Sequence, residues 1–237
     1  PRAESEFAPK ITVVNTRRIG ARPRPPDLLP GSTLPIRQAI RPSDLLGAGK
    51  VTGQIGSFRY GILSAVEDES TFHVDDQLYL QDGRAFGAFR ILYEDSIGTS
   101  YRGLGFVSTV VAHPESDAVV HGVDFRRLSS NGVWNISGQF LYSDVDEKGS
   151  GTGGFTDLQY VPRQGLKHEL QLTVLDDQID INDLGFLVRN DTRDVRYGFR
   201  RVMSDLTRIR DVEFGTFLRY AENGEGFRTN GGAGINA

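Results

Sequence analysis

Apolar and polar residues alternate along most of this chain with a period of two, the spacing that sends successive side chains to opposite faces of a β-strand. In VWNISGQFLYSDVD, Trp134, Ile136, Phe140 and Tyr142 share one face, while Asn135, Ser137 and Gln139 share the other. LKHELQLTVLDD sets Leu170, Leu172 and Val174 against Glu169, Gln171 and Thr173. RIRDVEFGTFLRYAE sets Val212, Phe214, Leu218 and Tyr220 against Glu213, Gly215 and Arg219. The same pattern predicts strands in KITVVNTRRIG, GKVTGQIGSF, RYGILSAVEDE, GRAFGAFRILYED, YRGLGFVSTVVAH, DAVVHGVDFRRL, GGFTDLQYVPR and DVRYGFRRVMS, about eleven in all. Helical spacing is nearly missing. The expectation is an all-β chain of antiparallel strands, many near the length of about ten residues that a tilted strand needs to cross a bilayer.

Two architectures produce such strands. A soluble sandwich or propeller buries the apolar face. An up-and-down transmembrane β-barrel turns it to lipid, with aromatic girdles at the interfaces and polar residues toward the lumen. Alternation alone fits both, and the connections favour the barrel. IGSF and SSNG are short, whereas DVDEKGSGTGG is long and polar, with GSGTGG read as a flexible loop. The Pro-rich stretch from residue 21 to 42 cannot pair as a central strand, because proline has no N–H to donate. The predicted order is a first strand region over residues 1–20, a Pro-rich loop or plug-like segment over 21–47, and consecutive antiparallel barrel strands over 48–237.

Composition narrows the classes. A length of 237 residues with 38% hydrophobic residues suits one large all-β domain. The formal net charge is -4 and no stretch concentrates Lys and Arg on one face, so nucleic acid is not an expected partner. Cysteine is absent, which removes disulfides, a thiolate nucleophile and Cys-ligated metal. No apolar run of about 18 residues predicts a spanning helix. The chain opens PRAESEFAPK without a leader pattern and closes GFRTNGGAGINA, where a new run begins, so it is expected to be an internal portion of a longer protein.

Three arginine pairs constrain any barrel: Arg17 and Arg18, Arg126 and Arg127, and Arg200 and Arg201. Adjacent residues on a strand point to opposite faces, so each pair sends one guanidinium outward. That costs roughly 2–4 kcal/mol at a bilayer midplane and about 0–1 kcal/mol near the interface. In a barrel these residues belong at a rim, beside lipid phosphates or lipopolysaccharide; on a soluble sheet they mark a solvated edge.

One segment, DDQIDINDLGFLVRND, breaks the succession of strands. Its middle alternates like a short strand, and Asp180, Asn182 and Asp183 are suited to capping backbone N–H groups in a turn. Its alternate oxygen ligands look like a calcium loop, but Gly185 is misplaced and no Glu follows at the ligating distance. The expectation is a structural or lumen-facing network of Asp180, Asn182, Asp183, Arg189 and Asp191 at one end of the barrel. Arg189, Arg193 and Arg196 are the cations expected to neutralise it. The acids of VEDES, YEDS and SDVDEKG form no evident glycosidase pair. His73, His113, His121 and His168 lie far apart, and no nucleophile elbow, P-loop or dinucleotide fingerprint occurs. No catalytic residue, metal or cofactor is expected.

INDLGFLVRND, with NTRRIG near the start and GKVTGQIGSFRYGILSAVEDE between them, resembles an uncharacterised family of bacterial outer-membrane β-barrel proteins. The likeness runs from about Lys10 onward and keeps the family's order. Full-length members carry a signal peptide and a family-9-type carbohydrate-binding domain ahead of the barrel. This sequence includes neither that domain nor the terminal aromatic residue of a complete barrel, which fits a fragment. The resemblance implies fold and location, names saccharide as a ligand class through the companion domain, and brings no catalytic residues. The resulting expectation is a non-enzymatic outer-membrane barrel that binds or passes a ligand, or serves as a structural component of a larger assembly. Its expected partners are membrane lipid, lipopolysaccharide, saccharide and other envelope proteins. The alternatives are a soluble all-β carbohydrate-binding module and, after it, a glycoside hydrolase with loop carboxylates.

Overall fold

The computed structural model describes residues 11–23, 25–113, 115–146, 148–204 and 210–236. Its elements begin with β1 (Ile11–Thr12), a 3-10 turn (Thr16–Arg18) and the four-residue helix α1 (Ile36–Ala39). There follow β2 (Leu45–Ile55), β3 (Phe58–Glu67), β4 (Ser70–Val74), β5 (Gln77–Gln81), β6 (Ala85–Ile97), β7 (Ser100–Ala112) and β8 (Ala118–Leu128). The chain continues with β9 (Trp134–Val145), β10 (Gly149–Arg163), β11 (Leu166–Leu175), β12 (Phe186–Leu187), β13 (Thr192–Ser204), β14 (Asp211–Glu222) and β15 (Arg228–Asn236). No helix is long and apolar enough to cross a membrane.

One antiparallel sheet of 11 strands carries the fold, in the order β15-β14-β13-β11-β10-β9-β8-β7-β6-β3-β2. Strands that follow one another in the sheet are neighbours along the chain, apart from the small inserts β4–β5 and β12, so the path is a meander. The sheet is not closed: β2 and β15 are free edges. Connections alternate between two ends. At the turn end they include residues 56–57, 98–99, 129–133 and 164–165; at the loop end they include residues 68–84, 176–191 and 223–227.

The pleat gives the sheet two unlike faces. Across the register Val107↔Gly122↔Leu141↔Gly153↔Leu175, one face presents Val107, Val120, Leu141 and Leu175 near the loop end. There residues 11–20 and 176–191 lie against it, and Val13, Ile179, Ile181 and Leu187 join those four residues in one buried cluster. Ala65, Phe86, Val111, Ala118, Val145 and Leu184 form a second cluster beside it. We call this the packed face. Leu141, Ile179 and Ile181 are essentially fully buried, and burial of each such side chain contributes about 1.5–3 kcal/mol. The opposite, bare face leaves Phe140, Val174 and Leu218 more than half exposed.

Several features differ from the sequence expectation. Residues 1–20 are expected to hold the first barrel strand; residues 1–10 lie outside the described residues, while β1 pairs with β12 and the chain then turns through Thr16–Arg18. The Asn15 side chain accepts from the Arg17 backbone N–H at 3.3 Å, which closes that turn. The eleventh strand of the sheet is instead β15, the run that begins near the end of the sequence. The hairpin β4–β5 has no counterpart among the predicted strands; Asp75 and Asp76 both adopt positive φ, 50° and 62°, as the mirror-image turns of tight hairpins require.

GSGTGG is also strand and not flexible loop, being the first half of β10. Gly151, Gly153 and Gly154 serve close approach: a Cβ on Gly151 would fall on the backbone of Gln178 and Ile179 as they cross the packed face.

Candidate functional site

Beyond the apolar clusters the packed face becomes polar, and its side chains bond one another across strands. Asn135 donates to Gln159 at 3.1 Å, Gln159 donates to Glu169 at 2.9 Å, and Lys167 pairs with Glu169 at 2.7 Å. Gln171 donates to Asp157 at 2.7 Å. Arg196 and Arg219 both reach Asp194, at 2.8 and 2.7 Å. Arg90 pairs with Asp124 and Arg59 with Glu94, each at 2.9 Å. Asp157, Gln159, Glu169, Gln171 and Asp194 are buried, so these bonds pair groups that water does not reach freely, while Gln171 Oε1 is left without a hydrogen bond.

The segment 176–191 caps the loop end. Asp180 accepts from Lys148 Nζ at 2.6 Å, from the Asn182 backbone N–H at 2.9 Å and from Asn182 Nδ2 at 3.0 Å. Its own backbone N–H donates to Ser143 Oγ at 3.0 Å, tying the turn to β9. Asn182 Oδ1 accepts from the Leu187 N–H at 2.9 Å. Asp191, at φ 47°, accepts from the Gly224 N–H at 2.6 Å. Asp183 is half-buried and Arg189 exposed, and neither side chain has a polar partner among the described residues.

The cation beside Asp180 is therefore Lys148. Of the three arginines named from the sequence, Arg196 pairs with Asp194 and Arg193 approaches Glu222 at 3.7 Å. Sequence reasoning missed Lys148 because it lies 32 positions away, brought in by the β9–β10 connection. It also missed Glu67, nearly fully buried, which accepts from the Gly20 N–H at 2.9 Å and from Arg84 at 2.7 and 2.9 Å.

The titration of the cap follows from these contacts. Burial alone would push the Asp180 carboxyl up, but the Lys148 ammonium and the Asn182 N–H groups outweigh it and hold the group below its ordinary value. The Gln178 N–H likewise holds Asp176 down, and the Asp176 carboxylate beside it pushes Asp177 up. A depressed carboxyl contributes stability above its unfolded-state pKa and loses it as pH falls through the folded-state value. Replacing Lys148 with Ala is therefore expected to move the acid limb of unfolding to higher pH, measured by thermal melts across the acidic range. Coincident limbs for the two proteins would remove Lys148 from this role.

The arginine pairs separate. Arg17 and Arg18 sit on the 3-10 turn and not on a strand, so the two-face argument does not apply; Arg18 Nε donates to the Gly185 carbonyl at 3.2 Å. On β8, Arg126 turns to the packed face, 3.4 Å from Asn135 Oδ1, while Arg127 is exposed on the bare face. On β13, Arg200 grips Glu213 through two bonds of 2.7 and 2.6 Å on the packed face, and Arg201 is exposed on the bare one. Arg127 and Arg201 both lie toward the turn end.

Aromatic rings line the same end of the bare face. Trp134 stacks on Tyr160 with centroids 4.2 Å apart, and the row continues through His168 at 5.9 Å, Phe199 at 5.1 Å and Phe214 at 6.2 Å. Phe58 and Tyr93 make a further pair at 5.3 Å. Nearer the loop end, His121 lies between Phe106 and Tyr142, at 6.1 and 6.4 Å.

No group of three or more His, Asp or Glu side chains suited to a metal ion occurs among the described residues. Against known families, residues 6–225 match the domain of unknown function DUF5916. The chain belongs to the DUF5916 family. No curated protein and no solved structure matches it. For this DUF5916 chain the site must accordingly be argued from its two faces: a hydrogen-bonded polar face capped at one end, and a bare apolar face bordered by aromatic rings and arginines.

Proposed function

We propose that this chain forms wall of a bacterial outer-membrane β-barrel, non-enzymatic, with its bare face toward lipid and its packed face toward a polar interior. The observation that carries the reading is the inversion of polarity. Phe140 is 59%, Val174 58% and Leu218 55% exposed, whereas Glu169 is 6%, Gln171 1% and Asp194 4% exposed. A monomer in water rarely leaves so continuous an apolar surface bare. A bilayer favours it, with aromatic residues at the interface and arginines at the rim, where Arg127 and Arg201 lie. Strands of 10 to 15 residues such as β11 and β10 are long enough to cross.

The interior in this reading binds or passes a polar ligand, or serves a larger envelope assembly as a structural wall. Its amide, carboxylate and guanidinium lining suits hydroxyl-rich molecules, and saccharide is the class that the family resemblance implies. Lipid, lipopolysaccharide and other envelope proteins are the partners of the outer surface.

The test is spin labelling of single-cysteine variants after reconstitution. Labels at 136, 140, 172, 174 and 218 are expected to be reached by lipid-soluble relaxants, and labels at 139, 169 and 171 by water-soluble ones. A chain that stays soluble and folded without detergent, or apolar positions packed against another protein sheet, would replace the barrel with the soluble all-β module.

A further inference from the structure

A furrow of about 840 Å³ runs along the bare face over β10. Its floor is made by the small bare-face residues of that strand, Thr152, Gly154 and Thr156, between Phe140 on β9 and Leu172 on β11. Strands two apart are separated by about 10 Å, so a middle strand without large side chains leaves a slot open between its neighbours. The slot is enforced at its centre: a Cβ on Gly154 would collide with the Gln139 carbonyl, so no larger residue fits there.

The walls are apolar, yet the loop-end mouth is charged. Arg193 and four carboxylates line it: Asp176 and Asp191, which accept the Gln178 and Gly224 N–H groups at 2.9 and 2.6 Å, and Asp177 and Glu225. The Arg193 guanidinium is 59% exposed and its contact with Glu222, at 3.7 Å, is long, which leaves donors for another acceptor. Asp177 stands beside Asp176, whose carboxylate pushes it up. An acyl-sized slot with one guanidinium and an excess of carboxylates at its mouth matches a lipid whose head group carries an ammonium beside its phosphate.

We propose that the furrow seats one acyl chain of an aminophospholipid, with the phosphate on Arg193 and the ammonium between Asp177 and Glu225. The proposal rests on the lipid-facing reading of the bare face and adds a stoichiometric, head-group-selective site to it. A phosphate-only lipid meets the carboxylates unfavourably, and a lipid without phosphate leaves Arg193 unused.

The test is native mass spectrometry of the full chain in detergent, offered equal amounts of phosphatidylethanolamine and phosphatidylglycerol. One retained phosphatidylethanolamine is expected. Thr156→Leu, which fills the slot on an outward position, should abolish retention. Arg193→Gln and Asp177→Asn should each weaken it about tenfold, the size of one lost charge-assisted hydrogen bond. Heat-modifiable migration of each variant reports the fold separately. Equal retention of both lipids, or retention unchanged by Thr156→Leu, with heat-modifiability intact, overturns the lipid site and leaves the barrel standing. Loss of heat-modifiability and detergent dependence in the unaltered chain overturns both.

Discussion

Valine at position 151 is expected to lift residues 176–191 off the packed face. Gly151 is buried on β10, opposite Ser143 of β9, and the backbone of Gln178 and Ile179 passes where its side chain would be. No rotamer avoids that contact, because the obstacle is main chain and not the tip of a flexible side chain. Releasing the segment re-exposes Ile179, Ile181 and Leu184, each about 1.5–3 kcal/mol when fully buried, and opens the cluster around Leu141. A total loss of about 4 kcal/mol or more is expected in denaturant unfolding, large for one substitution. Hydrogen exchange locates the change: amides of residues 179–187 should lose protection while those of β7 and β8 keep theirs. Retained protection across 179–187 would show that the cap does not depend on this close approach.

A loss of similar size is expected from Glu67→Ala. The Glu67 side chain is 1% exposed and accepts from both Arg84 and the Gly20 N–H, so it ties the end of β3 to the start of the Pro-rich stretch and to the strand that follows the β4–β5 hairpin. Alanine strands an arginine that is only 18% exposed, together with a backbone donor. Removing one partner of a buried ion pair costs about 3–5 kcal/mol, most of it the penalty of the charge left behind. A Glu67→Ala, Arg84→Ala double variant should therefore be more stable than Glu67→Ala alone. If the two changes simply add, the pair is not the source of the loss.

How much of this was legible in the sequence depends on what kind of force set each element. Alternation read the long strands correctly because a pleated sheet with unlike faces demands it residue by residue: Asn135, Glu169 and Gln171 lie on one face, and Trp134, Phe140 and Leu172 on the other. KITVVNTRRIG satisfied the same pattern yet joined no large sheet, since two of its apolar residues, Ile11 and Val13, are used to cover the packed face. Local pattern reports that a residue is to be buried and not by what. GSGTGG misled in the opposite direction, because glycine that serves a close backbone contact looks the same as glycine that serves flexibility. The cap was recognisable as a turn through Asp180 and Asn182, whose bonds are local, while its cation was hidden by a partner distant in sequence.

The open sheet described above carries a counting rule. Each strand reverses the one before it, and with 11 in succession β2 and β15 run the same way, both from the loop end toward the turn end. They cannot zip to each other without introducing a parallel seam into a wall that has none. In the proposed membrane setting, a second copy inserted with the same orientation offers only strands of that same direction at the corresponding edges, so pairing edge to edge between copies meets the same obstacle. In lipid an unpaired edge is too costly to leave, as nothing there replaces its hydrogen bonds. An all-antiparallel wall that closes around this sheet therefore takes an odd number of further strands, and its circumference is even.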